Sequence, residues 1–291
     1  MAGFRHLGRH SGFNGQSRIL ARRDNSLLAD FAGRLGANED CRYPNSRQKI
    51  KEISGKIHFV QIAIDGPVSS GKSTISKLVA KKLGLVYIDT GAMYRTVALH
   101  CLRQNVDLND ESEVCARVKQ NRLHFEFLPA GENNDGRNCT ILLNGEDISW
   151  EIRGKDATLG SAIVAQYDCV RSYLVKKQQG IAGGENVVME GRDIGYRVLP
   201  NADLKIFLTA SEMVRSLRRQ IHLLEHGQNG GLAKIREEIR TRDKQDMGRD
   251  LDPLKKVPGA VEIDTSDMTI EEVVDKIVTL VNLVKHKHPK L

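Results

Sequence analysis

The chain has 291 residues, a net charge of +7 and 40% hydrophobic residues. This length suits one large domain or a domain with extensions, and the apolar fraction excludes a chain that is disordered throughout. No apolar run reaches the roughly 18 residues of a membrane-spanning helix, which excludes a membrane span.

Residues 1–56 differ in charge from the remainder of the chain. They contain 11 basic and 5 acidic residues, whereas the remaining residues contain 33 and 32. We interpret this Gly-, Ser-, Asn- and Arg-rich segment as a basic, disordered extension. It could serve as an organellar transit peptide, as an arm that binds RNA, or have no function if the start is wrongly assigned. Its few aromatic residues form no stacking array, which argues against nucleic acid as a partner.

The five cysteines are widely spaced and contain no Cys-x-x-Cys pair. They are Cys41, Cys101, Cys115, Cys139 and Cys169. The odd number and the spacing argue against a metal site or a disulfide framework. The pattern predicts free thiols in a reducing compartment, and therefore a cytoplasmic protein.

Order is predicted to begin near residue 57 with an alternation of strands and helices. The apolar, β-branched stretch 59–65 predicts a buried strand. Apolar residues at helical spacing follow it, and Gly84 ends that helix. A second strand is predicted over 85–89 and a second helix over 92–102. This β-α-β-α order favours a parallel sheet covered by helices.

Residues of about 105–185 interrupt this alternation. Short strands are predicted over 124–128 and 140–143, and Asn144-Gly145 predicts a hairpin turn. A helix is predicted around 164–177. We interpret this segment as a small antiparallel insert with flanking helices.

The parallel pattern resumes after the insert. Strands are predicted over 187–190 and 204–208, and a last short strand over 261–263. An amphipathic helix closes the chain. Capping side chains mark the starts of the two helices that follow these strands: Ser211, and Thr269 with Glu272.

A glycine-rich turn between the first strand and the first helix carries the strongest chemical signal. The stretch 66–73 matches the phosphate-binding pattern G-x-x-x-x-G-K-[ST]. Glycines allow backbone N–H groups to surround a triphosphate, and the helix N-terminus adds partial positive charge. Lys72 can bridge the outer phosphates, and the Ser73 hydroxyl can hold Mg²⁺. The predicted ATP-binding residues are Gly66, Pro67, Val68, Ser69, Ser70, Gly71, Lys72, Ser73 and Thr74.

Arginines in later loops distinguish a kinase from a switch. A guanine-reading N-K-x-D pattern is missing from the sequence, which argues against a switch GTPase. Arg95 and Arg192 follow predicted strands, where the ligand crevice of an open parallel sheet lies. Arg240, Arg242 and Arg249 lie in one polar segment. Transfer between two phosphates requires such groups because several negative charges must be neutralised together.

In these features the chain resembles bacterial-type cytidylate kinases, of the nucleoside monophosphate kinase group. The resemblance covers residues of about 60–285 in unbroken order. The stretches that carry it are Ile62–Thr74, Asp89–Arg95, Gly191–Gly195, Pro200–Asp203, Arg242-x-x-x-Asp246-x-x-Arg249 and Ile263–Ser266.

The resemblance implies an α/β fold with a three-layer P-loop core around a central parallel sheet. It also implies a small antiparallel insert for the acceptor nucleotide and a helical lid over about 226–252, all within a domain of residues 57–291. The implied reaction, in pyrimidine nucleotide metabolism, is ATP plus CMP or dCMP giving ADP plus CDP or dCDP, with Mg²⁺. The implied protein is a monomer whose partners are these small molecules.

The resemblance also implies roles for individual residues. Four of them are implied to be catalytic: Lys72, Arg192, Arg242 and Arg249. Arg95, Arg192 and Arg249 are implied to hold the acceptor phosphate. The implied substrate-binding set comprises Thr90, Arg95, Arg171, Arg192, Asp193, Arg242, Asp246 and Arg249.

Within that set, the resemblance assigns contacts with the base and the sugar. Asp193 accepts a hydrogen bond from the cytosine amine, which uracil lacks, and Arg171 contacts the ring. Arg242 and Asp246 contact the sugar. Two alternatives stay open: a P-loop kinase of another small acceptor, and an RNA-binding P-loop protein that acts through its basic arm.

Overall fold

The computed structural model describes residues 59–120, 123, 125–129, 139–225 and 227–287. These residues form eight strands and eight α-helices. The strands are β1 (Gln61–Asp65), β2 (Val86–Asp89), β3 (Phe125–Pro129), β4 (Cys139–Leu143), β5 (Glu146–Asp147), β6 (Val187–Gly191), β7 (Leu204–Thr209) and β8 (Val261–Asp264). The helices are α1 (Lys72–Leu83), α2 (Thr90–Arg103), α3 (Glu111–Gln120), α4 (Lys155–Val164), α5 (Asp168–Ala182), α6 (Glu212–Glu225), α7 (Leu232–Gly248) and α8 (Ile270–Lys287).

Five parallel strands form the central sheet, in the order β2-β6-β1-β7-β8. Both faces are covered: Val79 of α1 and Ile277 of α8 pack on one side, and Val175 of α5 packs on the other. A strand that is buried on both faces needs apolar side chains on both of them. For this reason most residues of β1 and β6 are apolar, without the alternation of a half-exposed strand. The predicted α/β core with a parallel sheet is confirmed.

The insert contains an antiparallel sheet of β3, β4 and β5. Asn144 and Gly145 connect β4 to β5 with φ values of 52° and 86°, as the predicted hairpin turn requires. The helix predicted over 164–177 is wrong at its start, because Val164 ends α4 and α5 begins at Asp168. Between them, the Tyr167 hydroxyl donates to the Leu108 carbonyl at 2.8 Å, a contact between distant parts of the chain.

One disulfide corrects the cysteine prediction. Cys115 of α3 and Cys169 of α5 are bonded, with their Cα atoms 5.8 Å apart. The two residues are 54 positions apart, and they meet because α3 packs against α5. Cys101 is a buried free thiol, as predicted. Cys41 lies outside the described residues.

The predicted helix starts at Ser211 and Thr269 are confirmed. The Ser211 hydroxyl accepts from the Val214 N–H at 3.4 Å, and Thr269 and Glu272 exchange hydrogen bonds in a capping box. The extension predicted over 1–56 lies outside the described residues. No helix in the described ranges combines the length and the apolar character that a membrane crossing requires.

Candidate active site

The turn between β1 and α1 has a backbone that only glycine allows at two positions. A Cβ atom on Gly66 would lie 2.0 Å from the Leu208 carbonyl oxygen of the neighbouring strand β7. Gly71, directly before α1, has a φ of 91°. Any side chain at Gly66 would therefore push the loop off the sheet, and one at Gly71 would strain the helix start. The loop of residues 66–74, the cradle, thus has the glycine-dependent backbone that the phosphate-binding pattern requires.

Lys72 lies buried beneath this loop. Its Nζ donates to the Pro67 carbonyl at 2.6 Å and to the Ser70 hydroxyl at 3.4 Å. Burial, and then the positive charge of Arg192, lower the pKa of Lys72 to about 7. A phosphate beside Nζ would favour the charged form, so the site is suited to an anion.

Arg215 of α6 supports the cradle from outside. Its guanidinium donates to the carbonyls of Val68 and Ala210 at 3.1 and 3.0 Å, and Nη2 lies 2.7 Å from Asp243 Oδ2. This one side chain therefore joins the phosphate loop, the end of β7 and α7. Sequence reasoning missed it, because nothing local distinguishes Arg215 from the other arginines of α6.

Asp65, the last residue of β1, holds a second loop in place. Its carboxylate accepts from the N–H groups of Ile194 and Gly195 at 2.9 and 2.8 Å. Burial raises the pKa of Asp65 to about 6, although these two hydrogen bonds oppose the shift. The loop that it fixes carries Arg192 and Asp193. Sequence reasoning missed Asp65, although its position at a strand end before the phosphate loop is a usable signal.

Arg192 reaches from this loop to the helix α7. Its Nε donates to Asp246 Oδ2 at 2.6 Å, and Arg242 Nε lies 3.4 Å from the other Asp246 oxygen. Burial opposes ionisation of Asp246, but the charges of Arg192 and Arg242 outweigh it and lower its pKa. The predicted pair of Arg242 and Asp246 is therefore in contact, and Arg192 joins it.

Arg171 and Asp193 form a buried ion pair beside this group. Arg171 is 1% exposed, and its Nη2 donates to Asp193 Oδ2. Its Nε donates to Asp252 Oδ2 at 3.0 Å. Burial raises the pKa of Asp193, although the charges of Arg171 and Arg249 oppose the shift. The structure thus brings together the two side chains predicted to read cytosine.

Two arginines of the predicted phosphate site have buried nitrogen atoms without a hydrogen-bond partner: Arg95 Nε and Arg249 Nη2. Arg95 is held by Asp89 at 2.9 Å, and Arg249 Nε donates to the Asp252 carbonyl at 2.8 Å. Buried donors without partners are costly in a folded protein. Each therefore offers a buried donor to an anionic ligand.

Thr90 and Glu190 complete the edge of the sheet. The Thr90 hydroxyl donates to the Glu190 carbonyl at 2.7 Å. The Glu190 carboxylate accepts from the hydroxyls of Tyr87 and Ser73. Burial and the nearby charge of Asp89 raise the pKa of Glu190. Glu190 was missed from the sequence, where it reads only as the end of a strand.

Most of the predicted side chains meet at the carboxyl edge of the sheet. Electrostatic interactions connect Lys72 with Arg192, and Arg192 with Arg242 and Asp193. Arg95 pairs with Asp89, and no contact among the described residues joins it to Arg192 or Arg249. Arg240, from the same polar segment, instead pairs with Glu212 at the surface.

Comparison with solved structures returns kinases with low similarity. A shikimate kinase from Bacteroides thetaiotaomicron has a TM-score of 0.39 and 14% identity over 77% of this chain and 98% of its own. A gluconokinase from Sinorhizobium meliloti 1021 has a TM-score of 0.41 and 14% identity over 79% and 95%. TM-scores this low support no conclusion about this chain.

Comparison of sequences is more informative. The profile of the cytidylate kinase family matches residues 62–283, which contain the cradle, the arginine cluster and the insert. A cytidylate kinase from Bacillus cereus (strain ATCC 10987 / NRS 248) is 45% identical over 77% of this chain and 96% of its own length. One from Bacillus thuringiensis (strain Al Hakam) matches with the same identity and coverage. A match of this extent, which spans both the cradle and the arginines at the same edge of the sheet, shows that the chain belongs to the cytidylate kinase family.

Proposed function

We propose that the protein transfers the terminal phosphoryl group of ATP to CMP or dCMP, giving ADP and CDP or dCDP. One observation carries this proposal. The Lys72 cradle and the arginine cluster are adjacent, and the charge of Arg192 acts directly on Lys72. Two phosphate-bearing molecules bound to these two groups would meet end to end, which is the arrangement that phosphoryl transfer requires.

The cradle takes the donor. Residues 66–74 offer backbone N–H groups at the N-terminus of α1, and Lys72 supplies a charge for the outer phosphates. The Ser73 hydroxyl and the Glu190 carboxylate lie in hydrogen-bond contact and are the hard oxygen ligands that suit Mg²⁺. When bound, Mg²⁺ would supply positive charge to the two phosphate groups whose connecting P–O bond breaks.

The acceptor phosphate binds to Arg95, Arg192 and Arg249. The support for this assignment is the pair of buried, unpartnered nitrogens on Arg95 and Arg249. The Arg192 guanidinium lies between the cradle and Asp246, where it can face both phosphates. Planar guanidinium groups bind phosphate through two parallel hydrogen bonds, which also orient it.

The base and sugar bind beside the phosphate. Asp193 accepts from the cytosine amine while Arg171 contacts the ring, and a uracil carbonyl in the same place would leave Asp193 unpaired. Arg242 and Asp246 contact the sugar from α7. Thr90 lies at the start of α2, with its hydroxyl directed to the end of β6.

This site acts by position and charge. The arginines neutralise the transferring group, and a side-chain general base is not required. The lid proposed over about 226–252 contains α7, whose Asp243 and Asp246 are tied to the arginines Arg215 and Arg192. Closure of this helix over the site would exclude water from the reacting phosphates.

Neither alternative from the sequence is favoured by an observation on the molecule. The RNA-binding arm lies outside the described residues, and no contact suggests a different acceptor. The monomeric state and the cytoplasmic location stay predictions. The disulfide between Cys115 and Cys169 opposes that location, because disulfides persist mainly in oxidising compartments.

A panel of acceptors tests the proposal. Formation of ADP from ATP and Mg²⁺ is measured in a coupled assay with CMP, dCMP, UMP, AMP and a hydroxy acid such as shikimate. CMP and dCMP should have a kcat/KM at least about 10-fold above that of UMP. Turnover of CMP and dCMP no faster than that of UMP or AMP would show that the cytosine assignment is wrong.

A further inference from the structure

The chain that leaves α7 returns across the acceptor site through Asp252. This residue has a φ of 48°, which is uncommon for a residue with a side chain. Its Oδ2 lies 3.0 Å from Arg171 Nε and 3.3 Å from Arg197 Nε. Its carbonyl accepts from Arg249 at 2.8 Å. One residue therefore contacts two of the arginines that the proposed function gives to CMP.

Asp252 determines how Arg171 meets Asp193. The guanidinium is held at Nε by Asp252 and at Nη1 by the Ala165 carbonyl at 3.3 Å, so that only Nη2 reaches Asp193. Arg171 thus takes one oxygen of Asp193. The other oxygen, Oδ1, accepts no hydrogen bond from any described residue and stays available.

Without Asp252, the hydrogen bonds between Arg171 and Asp193 would change. Arg171 is buried, so its Nε–H would then lack a hydrogen-bond acceptor. Asp193 is the carboxylate already in contact with it, and a paired arrangement with two parallel hydrogen bonds is the one that Arg and carboxylate prefer. Such a pair would occupy both oxygens of Asp193 and remove the acceptor for the cytosine amine.

We propose that Asp252 is a positioning residue for cytosine recognition, which holds Arg171 by its Nε edge and thereby keeps one Asp193 oxygen free for the base. This inference rests on the proposed function. Because the Asp252 carbonyl also binds Arg249, the same residue ties the exit of the lid helix to the acceptor phosphate site. Binding of CMP and the conformation of this segment are therefore coupled through Asp252.

Two substitutions at Asp252 and one control test the inference. Asp252→Gly keeps the positive φ at no steric cost and removes the carboxylate. Asp252→Asn also tolerates this backbone and keeps an oxygen that can accept from Arg171. Asp250→Gly, two residues earlier and exposed, controls for added flexibility in the segment.

Steady-state kinetics with CMP and UMP provide the readout. For Asp252→Gly we expect the KM for CMP to rise about 10-fold and the CMP:UMP ratio of kcat/KM to fall about 10-fold, with the KM for ATP unchanged. Asp252→Asn should shift both values about 3-fold, and Asp250→Gly should leave both values unchanged.

The outcomes separate this inference from the proposed function. A wild-type protein that does not phosphorylate CMP overturns the proposed function. A wild-type protein that prefers CMP, with an Asp252→Gly variant of the same CMP:UMP ratio, overturns only the role of Asp252. An equal loss for CMP and UMP also overturns it, since that result indicates a structural role. If Asp252→Gly does not fold, the Asn variant decides: an unchanged ratio there contradicts the inference.

Discussion

The cradle and the proposed acceptor pocket share one edge of the sheet but are built in different ways. The pocket comprises Arg95, Arg171, Arg192, Asp193, Arg242, Asp246 and Arg249. The cradle consists of consecutive residues, 66–74, and most of its polar groups belong to the backbone. The acceptor pocket draws side chains from α2, α5, the loop after β6, and α7 with the segment that follows it. Arg171 and Arg192 are held by carboxylates that lie far away in the sequence, whereas Arg95 and Arg242 pair with carboxylates close to them in the chain.

This difference predicts different responses to substitution. The cradle depends on glycine at positions where a side chain cannot fit, and on one lysine. The pocket depends on pairs, so the loss of one carboxylate leaves a buried guanidinium free to take another partner. Changes in the cradle should abolish transfer to all acceptors, whereas changes in the pocket should weaken the use of the acceptor or alter which base is preferred.

Loss of the Lys72 amine should have the largest effect. We expect Lys72→Ala to lower kcat with CMP about 100- to 1000-fold, because the charge on the transferring phosphate loses its partner. The fold should persist, since burial already disfavours the charged form of this lysine. The coupled ADP assay measures the loss, and circular dichroism checks the fold. Lys81→Ala, an exposed lysine of the same helix, is the control. Near-normal turnover of Lys72→Ala would refute the role of the cradle.

Loss of Arg249 should affect the acceptor side alone. We expect Arg249→Ala to lower kcat/KM for CMP about 10- to 100-fold, the equivalent of one charge-assisted hydrogen bond of about 1.5–3 kcal/mol. The KM for ATP should not change, because Arg249 contacts the pocket and not the cradle. The surface arginine Arg240 provides a matched control as Arg240→Ala. A rise in the KM for ATP equal to that for CMP would contradict the separation of the two regions.

Substitution of Asp193 should change preference more than rate. Asp193→Asn replaces an acceptor by an amide that can also donate to a uracil carbonyl. We expect the CMP:UMP ratio of kcat/KM to fall about 10-fold, measured with both acceptors at saturating ATP. The Asn side chain keeps nearly the same volume but also removes the charge that pairs with Arg171, so the CMP:UMP ratio and not the rate is the readout. An unchanged ratio would refute the assignment of Asp193 to the cytosine amine.

Binding of ATP should change the protonation of Lys72. In the free protein the pKa of Lys72 is about 7, so this amine is mostly neutral at pH 8 and mostly charged at pH 6. A phosphate raises that pKa. ATP binding should therefore be accompanied by uptake of close to one proton per protein at pH 8, and of only a small fraction of a proton at pH 6. Calorimetry in two buffers with different ionisation enthalpies measures the uptake. Lys72→Arg, which stays charged, should abolish it.

The disulfide in the insert should have the smallest effect on turnover. Reduction of Cys115–Cys169 should lower the free energy of unfolding by about 2–4 kcal/mol, because it releases a long loop in the unfolded chain. Turnover of CMP should change less than about 2-fold at 25 °C, since neither cysteine belongs to the site. Urea unfolding with and without reductant measures the difference. A Cys115→Ser variant should not respond to reductant. A wild type that does not respond either would indicate that the bond does not form in solution.

The cradle could be predicted from the sequence almost completely. Gly66, Gly71, Lys72 and Ser73 lie within eight residues, and each has a chemical reason to stand at its position. The strands and helices on either side follow from local apolar patterns, which is why β1 and β2 were predicted to within two residues and α1 was predicted to end at Gly84. In the pocket, Arg192, Arg242 and Arg249 were singled out by their positions in the chain, but their individual roles came from resemblance to a family. Arg171, Asp193 and Asp246 were assigned by that resemblance alone.

The tertiary structure alone decided which groups hold one another. Nothing local marks Arg215, Glu190 or Asp252, because each acts on a partner that the fold brings to it. The strand-end position of Asp65 is a local signal, but it does not reveal which loop the carboxylate holds. The break between α4 and α5 and the bond between Cys115 and Cys169 have the same origin. Backbone geometry and short-range apolar patterns depend on consecutive residues, so the sequence by itself determined the cradle and the core elements. Ion pairs and packing contacts depend on distances through space, and these exist only once the sheet has formed.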